Sequence, residues 1–335
     1  MQRSPDPDCG LVHHARGGRA RAIPKRRWSL ASAGCRLVPT ALALAALPLA
    51  IAQAYGEEVT ATWIGASGGS YGSPASWDIG AVPLNNGDQT YIVDIGSNFT
   101  VNYSVAGAQA IDALSLGKSF FALSSSDPMN RSVLTVLDAA TIGGSISATG
   151  ASFIATGAGT SFVGNTSTLA ALGGGVVRIA APSFDASGLN AATILNASGA
   201  GSLIDLSSVK TFNAGSSGPN GNSIVASNGG SIDLSGVTAL TAPANAAALT
   251  FNLSGASNVD LSSLQTVGGV TTDTGYTNFV LDGSSATVGP LQKANRLGVT
   301  LKDGSTMTLG GYGGSATVTN SGFVVSGGSK LDAST

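Results

Sequence analysis

Cysteine and histidine are nearly missing from this sequence. The 335 residues contain only Cys9, Cys35, His13 and His14, all close to the N-terminus. Beyond residue 35 there is no thiol and no imidazole. That excludes disulfides, Ser-His and Cys-His nucleophilic catalysis and zinc sites of the usual ligands from the rest of the chain. Charge is scarce as well, at 10% of residues. Glutamate occurs only as Glu57 and Glu58, and methionine three times. With the strong helix formers so few, long helices lack their usual material. Only one long uncharged apolar run is present, at 37–54.

That run follows a basic segment. Residues 1–36 carry eight Lys or Arg against Asp6 and Asp8, and "LVPTALALAALPLAIAQA" then closes on Ala52-Gln53-Ala54. A basic start, a short apolar stretch and small residues at the exit are the marks of a secretory signal peptide over 1–54, cleaved between Ala54 and Tyr55. The run contains two prolines and falls short of the ~20 residues a membrane helix needs. "KRRWSLA" at 25–31 half-resembles a twin-arginine export signal. "SAGC" at 32–35 lacks the leucine and the preceding apolar run of a lipobox. Without residues 1–54 the chain keeps eight basic and sixteen acidic residues, so a formal charge of −2 becomes −8. Such a surface does not suit nucleic acid, whose affinity comes from Lys and Arg neutralising phosphates, nor an anionic lipid surface. The mature chain is expected not to span a membrane.

What is abundant is small. There are 47 glycines, about twice the usual share of roughly 7%, and Ser, Ala and Thr are plentiful. Between them lie short alternating runs such as "VVRIAA" (176–181), "SLIDLS" (202–207), "LTFNLS" (249–254) and "VTLKDG" (299–304). Period-2 alternation punctuated by Gly, Asn, Asp and Ser is the strand signature. The mature chain is therefore expected to be all-β.

The runs repeat. "GSLIDLSSVKT", "GSIDLSGVTAL" and "SNVDLSSLQTV" place Asp205, Asp233 and Asp260 at intervals of 28 and 27 residues. Looser copies begin at 283, 304 and 328, and diverged ones lie within 143–159 and 173–191. A fixed period in this range points to a stacked solenoid. The predicted fold is a right-handed parallel β-helix of degenerate repeats of about 20–28 residues, each coil burying the apolar side chains of the next. In "IDLS" the residues flanking Asp turn inward and Asp outward, so the three aspartates form a surface ladder. Stacked carboxylates are candidates for Ca²⁺. The other reading is that each Asp solvates the outer face or bonds to its turn, and the repeat lacks the Gly-rich nonapeptide of calcium-binding rolls.

Residues 62–95 run Trp63…Gly…Ser76-Trp77…Gly80…Pro83…Gly87-Asp88…Ile92. This resembles the module that opens many exported bacterial β-solenoids, namely autotransporter-type passengers and large surface or matrix proteins with sorting tails. The common form has Asn where Ser76 stands. The resemblance implies a capping module over 55–105, followed by solenoid repeats over 106–335. It also implies a passenger, adhesin or matrix role, with host-cell or matrix glycans and proteins as partners. Trp63 and Trp77 would cover the first coil, since an uncovered edge invites aggregation, or would form a sugar-stacking platform. Neither a run of barrel strands nor a hydrophobic sorting tail follows. The chain stops inside a repeat at "GGSKLDAST", from which further coils are expected downstream.

Parallel β-helices also include polysaccharide lyases and hydrolases, so a carbohydrate-active enzyme is the rival expectation. Glycoside hydrolysis needs a matched carboxylate pair. The candidates here are Asp112, Asp138, Asp185 with Arg178, and the Asp205/Asp233/Asp260 ladder beside Lys210. No pair is singled out by spacing, and no Gly-rich stretch carries the Lys-Ser/Thr of a phosphate loop. The sequence therefore favours a non-enzymatic surface scaffold without an obligatory cofactor.

Overall fold

The computed structural model describes residues 56–333, apart from 216–217, 244–246, 269–274 and 311–316. The expected signal peptide over 1–54 and its Ala54–Tyr55 cleavage point lie outside the described residues. What is described is a parallel β-solenoid, and every pairing between its strands is parallel. Among the described residues the only helical segment is a 3₁₀ turn at Pro74–Ser76. None there is long and apolar enough to cross a membrane.

Each coil has three sides. One is an eleven-stranded sheet that starts at Gly69–Ser70 and ends at Gly322–Val325. The second is a ten-stranded sheet from Ala108–Ile111 to Lys330–Asp332. The third is shared by two sheets. Five strands, beginning with Glu57–Thr62, serve the early coils, and six, from Ser183–Asp185 onward, serve the later ones. Phe162 of the former packs edge-on against Phe184 of the latter, with ring centroids 4.7 Å apart. The strands between residues 57 and 103 belong to these same sheets.

Register on the ten-stranded side measures the repeat. Thr135 pairs with Ile154, 19 residues on, and Asp205 with Asp233, 28 residues on. Coil length therefore varies from 19 to 28, matching the sequence estimate within one residue. The variation sits in the corners, because the paired strands keep their register.

Alternation decides which side chains enter the core. Ile204, Ile232, Val259, Ala286 and Met307 follow one another up the stack, all essentially inaccessible. On the eleven-stranded side the column is Phe121, Ile146, Leu169, Leu195, Ile224, Phe251, Phe279 and Val299, also buried. Phe251 and Phe279 lie parallel in register at 4.5 Å, an interplanar angle of 6°. No coil has enough apolar surface to fold alone, so the core exists only between neighbours.

Candidate functional site

The aspartate ladder forms as expected. Asp205, Asp233 and Asp260 pair in register, each between two buried residues: Ile204 and Leu206, Ile232 and Leu234, Val259 and Leu261. Their carboxylates are tied to the corner that follows. Oδ1 accepts the backbone N–H two residues on, from Ser207 at 3.1 Å, Ser235 at 2.9 Å and Ser262 at 2.8 Å. The chain then closes a β-turn from Leu206 to Val209, Leu234 to Val237 and Leu261 to Leu264, each N–H reaching the carbonyl at 2.9 Å. "Asp-Leu-Ser-x-apolar" therefore spells a strand end, a side-chain-closed turn and re-entry into the core. Among the described residues no three of His, Cys, Asp or Glu gather as a metal-binding group.

Asp205 does more than its copies. Its Oδ2 meets Arg178 Nε at 2.7 Å, and its Oδ1 also accepts the Ser207 hydroxyl at 2.7 Å. Partial burial pushes this carboxyl up. The Ser207 hydroxyl and N–H and the Arg178 guanidinium outweigh that and leave it below the usual aspartate range. Arg178 is thus joined to Asp205 in the next coil and not to Asp185, with which the sequence reading grouped it. Asp185 closes its own turn onto Ser187 N–H at 2.8 Å, and Asp112 accepts from Asn85 Nδ2 at 2.8 Å. The signal for the ion pair was present, because Arg178 precedes Asp205 by 27 residues, one coil.

Trp63 and Trp77 lie in the first coil as an antiparallel bridge, their rings edge to face at 5.1 Å. They are 3% and 1% exposed, so neither presents a face on which a sugar could stack. Trp77 Nε1 donates to the Tyr71 carbonyl at 2.8 Å, and Tyr71 Oη to the Pro83 carbonyl at 2.8 Å. The rings continue through Tyr103 to Phe121 and Phe153. Burial pushes the Tyr71 and Tyr103 phenols well above their ordinary value.

A third ladder was missed by sequence reasoning. Three residues before the aspartate row lie Ser202, Ser257, Ser284 and Ser305, all buried. Ser202 Oγ donates to the Ser198 carbonyl at 2.7 Å and accepts Gly174 N–H at 2.9 Å. Ser257 Oγ donates to the Ser254 carbonyl at 2.7 Å and accepts Gly229 N–H at 3.2 Å. Ser257 N–H reaches Ser284 Oγ, and Ser284 N–H reaches Ser305 Oγ. The hydroxyls stitch coil to coil at a corner where backbone groups would otherwise be short of partners. Serine at a fixed offset from Asp was the available clue. Comparisons with protein families, with characterised proteins and with solved structures match nothing to this chain.

Proposed function

We propose that the chain is an exported, non-enzymatic display scaffold of a bacterial surface or extracellular matrix, adhesin-like in its use. The supporting observation is where its polar side chains are used. The aspartates close turns, the buried serines join coils, and Arg178 braces Asp205. The repeated chemistry serves the stack and leaves the outer faces as the working surface. The signal-like N-terminus and the passenger-like Trp–Gly–Trp module agree with this reading. Two measurements test it. N-terminal sequencing of the exported protein is expected to begin at Tyr55. The purified chain is expected to attach to cell or matrix preparations while releasing no sugar from a polysaccharide panel. Turnover would instead establish a carbohydrate-active enzyme.

A further inference from the structure

Phe120 and Phe121 are adjacent in the strand Phe120–Ser124, so only one can face the core. Phe121 does, at 0% exposure, and Phe120 is left 41% exposed on the outer face. It stands in a groove of about 460 Å³, within the size range of small-ligand sites. Asn98, Phe99, Lys118, Phe120, Ser145 and Thr166 line it. The groove runs along the stack, crossing the starts of the successive paired strands Thr100–Tyr103, Phe120–Ser124 and Ser145–Thr149. Its floor is Gly143-Gly144, and a side chain on Gly144 would run into the Ser119 carbonyl. Ser145 Oγ accepts both the hydroxyl and the N–H of Thr168, which leaves its own proton to donate into the groove.

The chemistry of the surrounding face narrows the ligand. From Thr100–Tyr103 to Ala248–Ser254, no strand of the eleven-stranded sheet carries a charged residue. The ten-stranded sheet, in contrast, carries Arg178 and the three aspartates. Strands spaced ~4.8 Å apart advance by about one pyranose ring per coil. An exposed aromatic ring offers its electron-rich face to sugar C–H groups, and hydroxyls and amides at the rim suit sugar oxygens. We propose that this groove binds an uncharged glycan chain lying along the solenoid axis, with Phe120 as the stacking ring. The proposal deepens the display-scaffold reading and rests on it for its biological setting.

The test is titration of the purified chain with soluble neutral oligosaccharides of the cello, xylo, manno and malto series, with oligogalacturonate as the acidic comparison. At least one neutral series is expected to bind saturably. Phe120→Ala is expected to weaken it about fivefold to tenfold, while Phe120→Tyr retains it. Raising salt from about 0.05 to 0.5 M should leave affinity nearly unchanged, since no charge is neutralised. Met129→Ala, at an exposed site outside the groove lining, should bind normally. Thr166→Trp, which fills the groove, checks the result independently should Phe120→Ala lose its thermal transition. Absence of neutral binding, unchanged binding by both groove variants, or binding of oligogalacturonate alone that Lys118→Gln abolishes would each overturn the proposal. Failure here with intact attachment to cells removes the groove and leaves the scaffold. Soluble binding without attachment does the reverse.

Discussion

Two positions separate local effects that the repeat otherwise superimposes. Asp205 holds its proton less tightly when folded than when unfolded, because Ser207 and Arg178 favour the carboxylate. The stability this contributes is present above the unfolded aspartate pKa of about 3.9. It is lost as pH falls through the lower folded value. Urea midpoints of the wild type should therefore drop between pH 5 and pH 2 by more than those of Asp205→Asn, whose side chain does not titrate. Asp233→Asn is the comparison, since Asp233 makes the turn bond without a basic partner in the observed contacts. Equal slopes for the wild type and Asp205→Asn would contradict this. Ala256 is a backbone case. Its φ is +61°, in the corner position that Gly229 takes one coil earlier at +81°. The left-handed region costs an L-residue about 1–2 kcal/mol, whereas glycine adds about 0.4–1 kcal/mol of unfolded-state entropy. Ala256→Gly should therefore stabilise by up to about 1 kcal/mol in chemical denaturation, an unusual sign for a substitution to glycine.

At the scale of the repeat unit, the serine ladder and its gap make opposed expectations. Ser257→Ala removes two hydrogen bonds. Gly229 N–H still donates to the Gly255 carbonyl, however, and the Ser254 carbonyl still accepts Asn228 N–H. Nothing is orphaned, so the loss should be about 1 kcal/mol. In the Asp233 coil the ladder position is Gly230, and repeat consensus recommends serine there. A Cβ at Gly230 would run into the Ala197 carbonyl. Gly230→Ser is thus expected to destabilise by about 1–3 kcal/mol, against the consensus, and equilibrium unfolding of both variants checks the pair. This is also where legibility ended. The inward pair around each Asp, the strand class and the coil length followed from period-2 alternation and 27–28 residue spacing. Those are properties of a one-dimensional pattern. Whether a corner has room for a Cβ depends on the coil below, whose length varies, and so the sequence could not give it. The same limit hid the groove. "KSFFALS" announces that one phenylalanine faces out, but the Gly143-Gly144 floor beside it is brought there by the next coil. Trp63 and Trp77 looked equally suited to a cap or a platform, and only their burial separates the two.

At the scale of the described stack, stability is a sum over neighbours instead of a property of one closed core. Phe279 is the place to ask how far a defect travels. Its ring lies flat on Phe251, and its strand Tyr276–Asp282 pairs with Ala248–Ser254 on one side and Leu297–Lys302 on the other. Phe279→Ala should cost about 3–5 kcal/mol locally, since stacked coils have little freedom to collapse into the space. In native-state hydrogen exchange, faster exchange is expected across 248–254 and 297–302, whose backbone pairs with the damaged strand. The strands Phe120–Ser124 and Ser145–Thr149, several coils away, should keep wild-type protection because they share no contact with it. A uniform acceleration from the first coils to the last would mean that the stack opens as one cooperative unit, and nearest-neighbour accounting would then fail. Confinement of the change to adjacent coils would have a functional corollary. The groove around Phe120 could then keep its geometry, and its glycan affinity, while coils around residue 280 fray, so the Phe279→Ala protein should titrate with neutral oligosaccharide as the wild type does.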